Sequence, residues 1–195
     1  APNLWVNALE ASGEPGVDDD ANGYVDDVNG FDFTDVPEIL GSGDFKDRDP
    51  DPSDDVGHGT WVAGAACAAG NNEIGVAGVA FRSRIMPLRA GFRPRSGFAL
   101  GFLAEDDAAA AIVYAVDNGA RVLNLSFGDV VHAPILDDAV RYALDRGAIV
   151  VAAAGNEGNS QPFYPAGVSG VLAVGASDRD GRRASFSTFG PAVTL

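Results

Sequence analysis

Apolar positions are sparse and scattered up to residue 56 and then fall into regular blocks. Residues 1–16 show no period and read as loop. Phe31-Asp32-Phe33 is a short strand candidate, and residues 35–55 form a polar loop rich in Pro and Asp. From 58 to about 69 a run of small residues predicts a closely packed helix, stopped by Gly70-Asn71-Asn72, which tolerate the left-handed conformation. A glycine-punctuated apolar loop follows over 72–80, and then a strand over 84–90 and a looser segment over 91–103. Ala108, Ala111, Ile112 and Ala115 mark one stripe of a helix over 105–117, with three acids in its first turn. Residues 121–126 read as a strand. Residues 135–145 read as a helix with Ile135, Leu136, Ala139, Val140, Ala143 and Leu144 on one face. The run AIVVAAA at 148–154 predicts a strand buried on both faces, and VLAVGA at 171–176 predicts one more before a polar loop over 178–190.

An internal echo organises these blocks. Asp117-Asn118-Gly119-Ala120-Arg121-Val122 recurs as Asp145-Arg146-Gly147-Ala148-Ile149-Val150. Each time a helix stops at glycine and drops directly into a strand. Strand, helix and strand at this spacing form the βαβ unit of a parallel sheet. The expected fold is α/β, a doubly wound parallel sheet with helices on both faces, as one domain over 1–195. Residues 1–56 would be its acidic loop region and 57–195 its α/β core.

Charge sharpens that division. The net charge is −15, and residues 14–55 alone hold fifteen acids against Lys46 and Arg48. Such a block must be solvated or neutralised by cations, and it disfavours nucleic acid as a partner, because phosphates need a basic face. No apolar run is long enough to span a membrane. The single cysteine, Cys67, excludes an internal disulfide framework. The chain starts at Ala1 with no visible signal peptide, which fits processing or a piece of a longer chain.

Three stretches carry candidate chemistry. In Gly57-His58-Gly59-Thr60, a histidine stands in a glycine turn at the start of the predicted helix, where it can carry a proton near neutral pH. Asp18, Asp20 and Asn22 have the spacing of alternate ligands in an oxygen-donor calcium loop. Gly23 falls at the turn, Tyr24 where a backbone carbonyl faces the ion, and Asp26 or Asp27 where the shell would close. The terminal Glu of an EF-hand is absent, and a solvated acidic turn has the same spacing. Asp49, Asp51, Asp54 and Asp55 offer a further cation site or a plain loop. Beyond the strand at 148–154, Asn156 sits between Gly155 and Glu157-Gly158, where strand ends in parallel sheets form sites and where an amide can stabilise an oxyanion or simply make a turn.

Six stretches taken in order resemble the subtilisin-like serine proteases, the subtilases. They are GHGTWVAG (57–64), GNNEIGVAGVA (70–80), NLSFG (124–128), VVAAAGNEG (150–158), YPA (164–166) and ASFSTFG (184–190). The acidic DDDANGYVDDVNGFDF stretch is similar to the calcium-binding branch of that family. The resemblance implies a secreted, monomeric endopeptidase that takes an extended polypeptide. His58 would be the general base and Asn156 the oxyanion donor. Ser126, Phe127 and Gly128 would pair with the substrate backbone. Ala153, Ala154 and Gly155 would line the pocket for the side chain before the scissile bond, their small size leaving room for large apolar groups. Calcium would be held by Asp18, Asp20, Asn22, Tyr24 and Asp27, by Gly70, Asn72, Ile74 and Val76 in the family's strong loop, and by Asp49 and Asp51 in a weaker one.

Two departures stand against these matches. No serine lies in a Gly-Thr-Ser context, and no aspartate lies in an Asp-Thr-Gly or Asp-Ser-Gly context. The chain therefore reads as the middle of a protease domain, incomplete at both ends, with one of three triad members. Trp61 stands where a second histidine is common in the motif. Two other readings are a degenerate subtilase domain that binds peptide and calcium without catalysis, and a calcium module joined to an unrelated α/β domain.

Overall fold

The computed structural model describes residues 2–39, 43–93 and 101–195. They form two compact units, residues 1–111 and 112–195.

The first unit opens with a five-residue helix, α1 (Ala8–Ser12), inside the stretch expected to be loop. Its period is too short to show in sequence, and Glu10 holds it by turning inward (5% exposed). Strand β1 (Phe31–Asp32) pairs in parallel with β2 (Leu88–Arg89), with Phe31 opposite Leu88 and Asp32 opposite Arg89. The strand expected over 84–90 is thus short, although an isolated bridge joins Ile85 to Leu4. Tyr24, Phe31 and Phe33 meet edge to face with ring centroids 4.9–5.4 Å apart.

Helix α2 (His58–Cys67) starts where the small-residue run predicts, but it is not buried. None of its residues is buried and Trp61 is 77% exposed, because no described element of this unit covers its apolar side. Residues 78–80 fold back on its last turn, with the amides of Gly78, Val79 and Ala80 donating to the carbonyls of Ala68, Ala65 and Ala66. A side chain at Gly78 would collide with the backbone of Cys67 and Ala68, so glycine is required there. The segment expected to be looser contains an antiparallel pair, β3 (Gly91–Phe92) and β4 (Phe102–Leu103), while residues 94–100 lie outside the described residues. Phe92 packs on Phe45 and Val36 to form a small core.

Helix α3 (Glu105–Asp117) keeps its predicted bounds and buries Ala108, Ala111, Ile112 and Ala115, the predicted stripe. The first unit ends within it. The second unit is a parallel three-stranded sheet in the order β5 (Val122–Leu125), β6 (Ile149–Ala153), β7 (Leu172–Val174), and α4 (Pro134–Asp145) crosses between the first two strands. Proline at the start of α4 suits a first turn whose amides have no intrahelical partner. Leu136, Ala139, Val140 and Ala143 of α4 are buried, as are Leu123, Leu125, Val150, Ala152 and Ala173 of the strands.

The fold is α/β. A further expectation changes: β6 is not buried on both faces. Its side chains alternate, and Ile149 is 51% exposed beside Val122 at 61%. The composition of the run reports an apolar strand on both sides, and within this unit one of those sides is uncovered.

Candidate active site and acidic loop

His58 lies in the first unit and heads α2. Gly57, with φ +91°, makes the turn that presents it. The imidazole is exposed and makes no hydrogen bond among the described residues. A residue offered by the sequence only as a cation ligand or loop position fixes this turn. Asp54 accepts the amides of Val56 and Gly57 through Oδ1, and the amide and hydroxyl of Thr60 through Oδ2, at 2.7–2.9 Å. It satisfies the first-turn amide of Thr60, which glycine at the cap position cannot. Partial burial works against its ionisation, but the hydrogen bonds from Thr60, Gly57 and Val56 outweigh burial and hold the carboxyl below its ordinary 3.8. A carboxyl lowered by folding stabilises the fold above its unfolded value and loses that contribution as pH falls through its folded value. Asp54→Ala is expected to cost about 1 kcal/mol of stability at pH 7 and progressively less below pH 3.8. Urea unfolding at pH 7 and pH 3 checks this, and an equal loss at both would contradict it.

In the acidic loop the structure gathers some of the predicted ligands and adds one. Carboxylate oxygens of Glu10, Asp18 and Asp20 all lie within 4.8 Å of one another. Glu10 also accepts the amides of Asp19, Asp20 and Asp26, so it wraps the loop around itself. Asn22 donates to Asp20 and Asp27, and the buried Asp27 also accepts from Asn7 at 2.8 Å. Asn22 Oδ1 accepts the Tyr24 amide. Three carboxylates held this close repel one another, and a hard divalent cation on oxygen donors relieves that strain. The donor chemistry fits calcium, with Glu10, Asp18 and Asp20 as its core.

The other predicted metal positions lie outside that cluster. The Asp49 and Asp51 carboxylates close tight turns, accepting the amides of Asp51 and Ser53 respectively. Asp49 also lines a cavity of about 520 Å³ with Asn22, Gly23 and Tyr24. Gly70, Asn72, Ile74 and Val76 sit in the exposed loop after α2, where Asn71, Glu73 and Gly75 alternate in the left-handed region at φ +57°, +60° and +58°.

The second unit carries the remaining site residues. Past β5, residues 126–128 run on with no partner strand among the described residues. Ala153, Ala154 and Gly155 close β6. Gly155 adopts φ +104°, which turns the chain so that Asn156 is exposed at the strand's carboxyl end. The 184–190 stretch clamps this turn: Thr188 N donates to Gly155 O at 3.0 Å, Gly158 N to Phe186 O at 2.7 Å and Phe189 N to Asn159 O at 2.9 Å. One further residue, Phe163, is absent from the sequence reading. Its ring lies against both Gly128 and Gly155, and at Gly155 it takes space that the small residues 153–155 were expected to leave open.

A sequence profile for the subtilase family matches residues 24–195. The chain belongs to the subtilase family. This subtilase is 49% identical over 152 residues to a thermophilic serine proteinase of Bacillus sp. strain AK1, covering 78% of this chain and 36% of that protein. It is 42% identical over 157 residues to thermitase of Thermoactinomyces vulgaris, covering 80% and 54%. Subtilisin Savinase of Lederbergia lenta matches at 38% identity, covering 80% and 56%. Among solved structures, proteases from Pseudoalteromonas arctica superpose with TM-score 0.65 at 28% identity, covering 84% of this chain and 54% of that one. The self-cleaved protease domain of PatA superposes with TM-score 0.55 at 31% identity, covering 67% and 48%. The subtilase chain thus spans about half or less of the length of these relatives.

Proposed function

We propose that this subtilase chain supplies the general base and the oxyanion donor of a serine endopeptidase. Asn156 carries the reading: an exposed residue on a clamped glycine turn at the end of a parallel strand, in the same unit as a segment at 126–128 that has no partner strand among the described residues. His58 would take the proton of a serine hydroxyl and return it to the leaving amine. Asn156 would donate its side-chain N–H to the oxygen that gains charge as the carbonyl becomes tetrahedral. The substrate would lie extended along Ser126, Phe127 and Gly128 as an added strand. The serine, and an aspartate to orient His58, must come from polypeptide other than these 195 residues, so this chain by itself is expected to hydrolyse no peptide.

Calcium belongs to the proposal as a structural ion in the loop of Glu10, Asp18 and Asp20. A monomer working outside the cell suits a calcium-stabilised subtilase with this acidic surface. Among the described residues no helix is long and apolar enough to cross a membrane.

Reading the coding DNA on both sides of this segment is the first test. An Asp-Thr-Gly or Asp-Ser-Gly before residue 1 and a Gly-Thr-Ser after residue 195 are expected. A reading frame without them would overturn the hydrolase reading. In the encoded protein, Asn156→Ala is expected to lower kcat with little change in KM. The loss should fall in the range that subtilisin's own oxyanion asparagine sets, about 10²–10³-fold. An unchanged kcat would remove Asn156 from the site.

A further inference from the structure

We propose that Phe163 fills the side-chain pocket of the substrate groove, so that this subtilase accepts small residues, such as alanine or glycine, before the scissile bond. The inference rests on the reading above that places substrate along 126–128 and 153–155, and it reverses the expectation that small residues there leave room for large apolar groups.

The glycines locate the ring. A β-carbon on Gly128 would stand 2.6 Å from Cε1 and 3.0 Å from Cδ1 of Phe163. One on Gly155 would stand 2.9 Å from Cγ and 3.0 Å from Cδ2. Carbon atoms not bonded to each other settle at about 3.5–4.0 Å, so the ring occupies the space in front of both glycines. Gly155 belongs to the segment read as the pocket lining and Gly128 to the segment read as the substrate-pairing strand. A single aromatic side chain from a third segment stands between them.

The backbone that carries the ring is held on both sides. Tyr164 exchanges hydrogen bonds with Asp129 at 2.7 and 3.0 Å, which docks the 163–164 segment antiparallel to the chain just past 126–128. Gly167 N donates to Phe163 O at 2.7 Å. These bonds fix the backbone that carries the ring. Phe163 also lines a cavity of about 10 Å³ with Ala154, Ala166, Ala173 and Thr188. That is no more than about one water molecule needs, and a benzyl side chain cannot enter. Phe163 is itself only half-buried, so part of the ring stays exposed.

NMR titration of the 195-residue chain tests this with two peptide amides, acetyl-Ala-Ala-Pro-Ala and acetyl-Ala-Ala-Pro-Phe, and with benzyl alcohol as a ring-sized probe. The parent chain should bind the alanine peptide at least as tightly as the phenylalanine peptide and should not bind benzyl alcohol. Phe163→Ala should shift the ratio of the two affinities towards phenylalanine by about tenfold or more and should gain benzyl alcohol binding. Phe163→Leu should fall between, and it carries the test if the alanine variant does not fold. A parent that prefers the phenylalanine peptide, or a folded variant with an unchanged ratio, overturns the role of Phe163 and leaves the groove standing. If the variant takes up benzyl alcohol but no form binds either peptide, the groove reading falls and the specificity role falls with it.

Discussion

Arg89→Met is expected to be the most damaging single change in the first unit, costing about 3–5 kcal/mol at pH 7. Arg89 is 6% exposed and sits opposite Asp32 on the paired strands β1 and β2. Its guanidinium contacts the fully buried Asp32 carboxylate, Asp44 at 2.9 Å and Asp55 at 3.3 Å. Methionine fills similar space but leaves the Asp32 charge inside with no cation beside it. Burial pushes Asp32 up to about 6 from its ordinary 3.8, against the opposing hydrogen bonds of Thr34 and the charge of Arg89. A carboxyl raised by folding contributes fully below its unfolded value, and that contribution is lost as pH rises through the folded one. For Asp32 the window runs from about 3.8 to about 6. Without Arg89 the proton is held more tightly still, so the deficit of the variant should shrink as pH is lowered from 7 towards 5. Urea midpoints at both pH values read this directly. Asp32→Asn combined with Arg89→Met should recover part of the loss at pH 7, since no buried charge remains. Equal deficits at both pH values would contradict the account.

Glu10→Ala is expected to release the acidic loop, with a loss of about 3 kcal/mol or more. Its carboxylate accepts three backbone amides from Asp19, Asp20 and Asp26, and removing it orphans all three. It also removes the inward member of the carboxylate cluster. The parent should therefore gain thermal stability when calcium is added, by about 2.7 kcal/mol at a hundredfold excess over Kd, and the variant should gain little. Glu10→Gln loses the charge but keeps one acceptor oxygen, enough for the Asp19 and Asp20 amides and not for that of Asp26, so it should keep more of the loop's stability than of its calcium response. Thermal melts in calcium and in chelator distinguish these effects. A calcium shift preserved in Glu10→Ala would remove that residue from the ion site.

These two residues mark where sequence reading stops. The bounds of α3 and α4 are legible because each carries an apolar stripe at helical period and ends at a glycine, and tertiary packing only reinforces that pattern. The turn at His58 is legible because Gly57 has to adopt a left-handed conformation. Glu10 is invisible because five residues hold too little period to announce a helix, and its partners lie 9–16 positions further on. Phe163 is invisible for a related reason. It falls between two recognisable stretches, and only folding brings its ring to Gly128 and Gly155, residues 35 and 8 positions away. The exposure of α2 and of Ile149 is also beyond a periodicity argument. Apolar composition records what a surface is suited to pack against, whereas burial depends on which elements are there to cover it.

In the proposed peptidase His58 acts as the base. Steady-state hydrolysis of a chromogenic peptide by the protein encoded by the whole reading frame, compared with its His58→Ala variant, tests this role. Hydrolysis by the parent is expected, with a fall in kcat of at least about 10³-fold in the variant and unchanged circular dichroism. Hydrolysis that persists in the variant, or a folded parent that binds peptide and never cleaves it, would contradict the account and leave peptide binding as the function of this chain.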